Sequence, residues 1–105
     1  MPSIHFIYRD RANLSPVKHP VYDSGDWDVT PEEAARLTGG IIYLHQTKAK
    51  LSYFGGRIDS YRTTETGNSH RLRIVFTFTS TPEGKGAKWR GTDHPRAWTS
   101  GVVED

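Results

Sequence analysis

Cysteine is absent from the 105 residues, so the chain has no disulfide framework and no metal site built on thiolates. Long apolar runs are missing too. Nothing approaches the roughly 20 consecutive apolar residues that a membrane-spanning helix needs, and MPSIHFIYRD lacks the basic leader and apolar stretch of a secretion signal. The expectation is a cytoplasmic protein with no membrane partner. Internal repeats and low-complexity segments are lacking. With 34% hydrophobic and 25% charged residues, the composition is that of a chain that folds, not one that stays disordered. Its length supports one core and not two, which predicts a single domain over residues 1–105.

Catalytic and cofactor motifs are equally scarce. There is no Gly-x-Ser-x-Gly, no phosphate loop and no dinucleotide fingerprint. The histidines, His5, His19, His45, His70 and His94, are nowhere spaced as His-x-His or His-x3-His, so neither a metal nor another cofactor is expected. Thr47-Lys48 lies near His45, and Asp93 adjoins His94, but neighbours on a strand point to opposite sides and do not cooperate by adjacency alone. Asp93-His94 in GTDHP reads as a turn. No catalytic residue is assigned, and His45 is expected to line the core or a pocket beside a sheet.

What the chain does have is an uneven charge distribution. Through Gln46, four basic residues face six acidic ones, a net −2; from Thr47 to Trp98, ten basic residues face four acidic ones, a net +6. Glu104 and Asp105 bring the total to +2. A one-sided positive field concentrates anionic partners, with nucleic acid first among them; the alternative is a solvated surface that keeps the protein dispersed.

The hydrophobic pattern is mostly that of strands. Residues 3–9 alternate, with Ile4, Phe6 and Tyr8 on one side. Residues 10–20 carry Pro16 and Pro20 among polar residues and read as a loop. Val21 and Tyr22 add a brief edge pairing before an acidic turn, DSGDWD. Thr30-Pro31-Glu32-Glu33 is a capping-box helix start, and Gly39-Gly40 ends the helix, which predicts one short helix over about 31–38. Trp27, just before the helix, is expected to pack in the core. Strands follow at 41–47, at 57–64 and, most clearly, at 71–79. There Leu72, Ile74, Phe76 and Phe78 alternate with Arg71, Arg73, Val75, Thr77 and Thr79. Gly55-Gly56 reads as a turn that either lets another chain or a ligand come close or, as the safer expectation, permits a sheet-curling bulge. Residues 81–88 look like a basic loop, and a closing strand is expected around 97–103. The predicted class is α+β: a small mixed, partly closed β-barrel of five or six strands with that one helix.

Cations and flat rings interleave through the second half. Lys48, Lys50, Tyr53, Phe54 and Arg57 cluster around the glycine pair; Lys85, Lys88, Trp89, Arg90, Arg96 and Trp98 cluster near the C-terminus. Phosphates call for the first ingredient and bases for the second, with stacking worth about 1–3 kcal/mol per base. The candidate nucleic-acid-binding residues are therefore Lys48, Lys50, Tyr53, Arg57, Arg71, Arg73, Lys88, Trp89, Arg90 and Trp98. The competing expectation is that Tyr53, Phe54 and Trp98 belong to the core.

LTGGIIYLHQTKAKLSYFGGRIDSYR resembles the PUA-like superfamily, which includes the ASCH and EVE domains. The matching features are Gly39-Gly40 closing the helix, Ile41 to His45 as the next strand, and Gly56-Arg57-Ile58 crossing back, within residues 30–80 or so. The resemblance implies a small pseudo-barrel that binds RNA or a modified base in DNA through aromatic and polar side chains. Some ASCH domains resemble amidohydrolases acting on modified nucleosides, using a Lys, a Thr and a Glu. Here Thr47-Lys48 follows the Gly-rich turn instead of preceding it, so no catalytic residue is carried over. The expected function is binding of RNA or of a modified base. The alternatives are a protein-interaction module with a basic face and a small amidohydrolase-like enzyme on modified nucleosides.

Overall fold

A computed structural model describes residues 2–7, 14–27, 29–47, 49–65, 72–90 and 99–103. Its frame is one mixed sheet of seven strands: β1 (Ser3–Ile7), β2 (Leu14–Lys18), β3 (Val21–Trp27), β4 (Ile41–His45), β5 (Phe54–Glu65), β6 (Leu72–Ser80) and β7 (Thr99–Val103), in the order β2-β3-β6-β5-β4-β1-β7. Among the described residues one helix, α1 (Pro31–Leu37), lies between β3 and β4, and a 3-10 turn, Pro82–Gly84, follows β6. Neighbours run antiparallel except β1 and β4, which are parallel.

Alternation decides which side each strand buries. Ile4 and Phe6 of β1, Ile42 and Leu44 of β4, Ile58 of β5, and Ile74, Phe76 and Phe78 of β6 are fully buried in one cluster. Ala34 and Leu37 of α1 close that cluster. The helix starts as its sequence dictates: the Glu33 amide donates to Thr30 Oγ1 at 3.2 Å and the Thr30 amide donates to Glu33 Oε1 at 3.2 Å, with Pro31 in the first turn.

The sheet is strongly curled. Strands β1 and β3 are four positions apart in the order, about 19 Å along a flat sheet at ~4.8 Å per strand. Yet Phe6 of β1 and Trp27 of β3 stack with ring centroids 3.9 Å apart. Trp27 thus packs on the core, as expected. Among the described strands the curl stops short of closure: β2 and β7 each pair with one neighbour only. The fold is α+β, but as an open sheet and not a closed barrel.

Three segments differ from expectation. Leu14–Lys18, read as loop, is a strand; Pro16 is tolerated because β2 is an edge that pairs only with β3. Of the apparent turn DSGDWD, residues 23–27 are extended within β3, which also pairs with β6, where Gly25 lies against Val75 with no room for a Cβ; Asp28 lies outside the described residues.

Gly55-Gly56 is likewise strand, not turn. The bulge falls instead between Ile58 and Ser60. What the glycines permit is close approach: a Cβ on Gly55 would lie 2.1 Å from the Ile42 carbonyl oxygen, and one on Gly84 would lie 2.1 Å from the Gly55 carbonyl carbon. The 3-10 turn is pressed onto β5 at this point.

Candidate functional site

The side of the sheet turned away from the core carries the polar chemistry. One row of cross-strand partners runs Val21, Thr79, Arg57, Ile41, Ser3, Val103. Along β5 and β6 the next outward pairs are Ser60 with Thr77, Arg62 with Val75 and Thr64 with Arg73. Arg57, Arg62 and Arg73 therefore share one side. Asp59 and Asp23 set two of these cations: Arg57 Nε donates to Asp59 Oδ1 at 3.4 Å, and Arg62 Nη2 donates to Asp23 Oδ2 at 3.1 Å. Thr77 donates to Asp23 at 2.7 Å, and Thr79 donates to Asp59. Both arginines are largely exposed, at 61% and 55%. Exposed pairs of this kind contribute only about 0–1 kcal/mol, so either guanidinium can be taken over by a phosphate at little expense.

On the same side, β1 and β4 bring together a group that sequence spacing did not foretell. Their parallel register sets His5 opposite Tyr43, and the rings stack at 4.7 Å. His45 follows on β4, and its Nε2 lies 2.8 Å from His5 Nδ1. His45 Nδ1 lies 3.0 Å from the Lys50 carbonyl oxygen. A carbonyl only accepts, so His45 Nδ1 carries the proton; its Nε2 then accepts from His5 Nδ1, and the lone pair of the assembly resides on His5 Nε2. Both imidazoles are fully buried. Burial pushes the His45 imidazole below its ordinary value of 6.5, and the bond to the Lys50 carbonyl partly offsets this.

Trp89 lies over the pair, 5.6 Å from His5 and edge-on at 5.2 Å from His45. Its position follows from Ser52: the hydroxyl accepts from the Ala87 amide at 2.9 Å and donates to the Gly84 carbonyl at 2.8 Å, while the Ser52 amide donates to the Ala87 carbonyl at 2.8 Å. Arg90 Nη2 reaches across to Ser3 Oγ at 3.0 Å, beside Ile41 in the row that holds Arg57. Ser100 of β7 accepts from the His5 amide at 2.9 Å.

Of the residues singled out from sequence, Arg57, Arg73, Trp89 and Arg90 are brought to this side. Lys50 and Lys88 are exposed on adjoining loops, Lys50 supplying its carbonyl to His45. Tyr53 is half-buried against the core cluster. Lys48, Arg71 and Trp98 lie outside the described residues. His45 does not line the core; with His5 it faces the opposite side. The residues that sequence reasoning missed are Ser3, His5, Tyr43 and Arg62. A signal existed for two of them: His5 and Tyr43 occupy the off-core positions of strongly apolar strands. Among the described residues no group of three or more His, Asp or Glu side chains comes together as a metal site would require. No helix among them is long and apolar enough to cross a membrane.

Comparisons with protein-family models, with curated proteins and with solved structures find no match.

Proposed function

We propose that this protein binds single-stranded nucleic acid, RNA or a strand bearing a modified base, across the side of the sheet that the core leaves open. One observation carries this: Arg57, Arg62, Arg73 and Arg90 share that side with Trp89 and Tyr43. Guanidinium groups meet phosphate oxygens in a bidentate fashion, and Arg57, Arg62 and Arg73 extend from strands of the sheet while Arg90 joins them from the segment after the 3-10 turn. Trp89 and Tyr43, both half-buried, offer stacking edges next to them. Exposed bases stack on such rings with little regard for sequence, while phosphate contacts set register. The PUA-like relationship and its partly closed pseudo-barrel belong to the same proposal, and the curl of the sheet is in keeping with them.

Fluorescence anisotropy of labelled single-stranded RNA, single-stranded DNA and duplex, titrated over a range of salt concentrations, tests this. Log affinity should fall linearly with log salt, and Arg57→Ala should reduce that slope by about 1. Trp89→Ala should weaken binding by about 1–3 kcal/mol without shifting the salt slope. An affinity indifferent to salt would overturn the proposal.

The hydrogen-bonded His5–His45 pair favours a second reading, acid–base chemistry on a nucleoside-like substrate. A base held by a second group is the usual arrangement for such work. It ranks below binding because both rings are fully enclosed. Turnover of modified nucleosides that is lost in His5→Gln would reverse the order.

A further inference from the structure

At the end of the sheet where β3 begins and β6 finishes, a cavity of about 400 Å³ opens on the core side, away from the arginines. Its apolar wall is made by Tyr22 and Phe54, set edge-to-face with centroids 5.0 Å apart and backed by Phe78. The remainder is Pro82 and the polar residues His19, Ser80, Thr81 and Lys85. Among the described residues no carboxylate lines it.

The walls are held by backbone. The Ser80 amide donates to the Pro20 carbonyl at 2.9 Å, fixing the β2–β3 turn that carries His19. The Thr81 amide donates to the Gly55 carbonyl at 3.2 Å, and Gly84 is packed against Gly55, which fixes the turn leading to Lys85. Thr81 stands at the N-cap of the 3-10 turn, yet its side chain makes no capping bond. Its hydroxyl is buried and has no hydrogen-bond partner among the described residues. A buried hydroxyl that forgoes the bond next to it costs stability, and a ligand atom in the cavity would supply what is missing.

We propose that this cavity is a binding site for a planar heteroaromatic ring carrying an anionic group, of the nucleoside monophosphate class. Tyr22 and Phe54 take the ring, the Thr81 hydroxyl takes an edge atom or phosphate oxygen, and the Lys85 ammonium takes the negative charge. The preference for a planar anion comes from this lining alone; the choice of a nucleotide among planar anions rests on the nucleic-acid reading of the sheet.

The test is NMR titration of the isotope-labelled full chain with nucleoside monophosphates, with the matching nucleosides, and with a short oligonucleotide with and without a terminal phosphate. The expected result is a saturable shift confined to His19, Tyr22, Phe54, Thr81 and Lys85 with a monophosphate or with the phosphorylated strand end, whichever source supplies it. The nucleoside should bind at least about tenfold more weakly, and Lys85→Ala should cost the monophosphate a similar factor. Thr81→Val, which keeps the shape and removes the hydroxyl, should cost about fivefold. No saturable shift with any monophosphate, or unchanged affinity in both variants with the folded spectrum retained, overturns the proposal. A mononucleotide is too short to span the arginines of the sheet, so failure here leaves the strand-binding test standing, and failure of strand binding leaves this one standing.

Discussion

On one side of the sheet Ile4, Phe6, Ile42, Leu44, Ile74, Phe76 and Phe78 are sealed together; on the other, the residues between them in the chain are Ser3, His5, Tyr43, Arg73, Val75 and Thr77. The same strands build both sides, and the register that buries one set aligns the other. Fixing the core therefore fixes the distances among the polar groups. The His5–His45 bond is a by-product of packing Ile4 and Phe6 beside Ile42 and Leu44, and the arginine row of packing Ile58 and Tyr61 beside Phe78 and Phe76. The difference between the sides lies in what each tolerates: the core side is specified by volume, the other by hydrogen bonds and charge.

The largest expected effect strikes the core side. Phe76→Ala, at a fully buried position, should lower the free energy of unfolding by about 3–5 kcal/mol, measured by urea denaturation. That is a fifth or more of the stability of a typical domain. At the seam between the sides, Gly84→Ala puts a methyl 2.1 Å from the Gly55 carbonyl carbon. It should cost about 1–3 kcal/mol and shift the NMR signals of Ser52 and Trp89 together. If Trp89 does not respond, the strap through Ser52 is not what positions it.

On the polar side the histidine pair makes stability depend on pH. The native state holds His45 below its unfolded value of 6.5, so near and below that pH the unfolded chain takes up the proton more readily. Stability should be full above about pH 6.5 and decline as pH falls below it, by no more than about 1.4 kcal/mol per pH unit for a single proton. Among the described residues, Arg90, through Ser3, and the Tyr43 ring stand beside the pair. Urea midpoints measured across this range should slope less in His45→Gln, whose amide can still donate to the Lys50 carbonyl. The smallest effect belongs to Arg62→Ala. Its exposed pair with Asp23 should be worth under about 1 kcal/mol of stability, while strand affinity and its salt slope fall. An Arg62 variant that unfolds would mean that the arginine side supports the fold.

Much of the core side was legible because period-two alternation is a local signal. Ile74, Phe76 and Phe78 could be assigned from RLRIVFTFT alone, and the helix start from Thr30-Pro31-Glu32-Glu33, since every group in a capping box lies within one turn. β2 and β3 were obscured by Pro16 and by Asp23, Ser24 and Gly25, residues that ordinarily mark turns. They become strand because an edge accommodates proline and because Gly25 must lie flat against Val75. The polar cluster was hidden for a different reason. His5 and His45 are forty residues apart, and only the parallel pairing of β1 with β4 makes them neighbours. Nothing local encodes that register. Arg57 and Trp89 were recognised by type; that they share a side with Arg90 and Tyr43 follows from the whole sheet.

The position of β1 also bears on how the protein is made. Its two neighbours in the sheet are β4, whose first residue is Ile41, and β7, which begins at Thr99. A ribosome that has released the first strand must translate on past Thr99 before that strand gains its second flank. Until then a segment as sticky as IHFI carries a bare edge, and guarding it falls to chaperones or to a slow search for distant pairing.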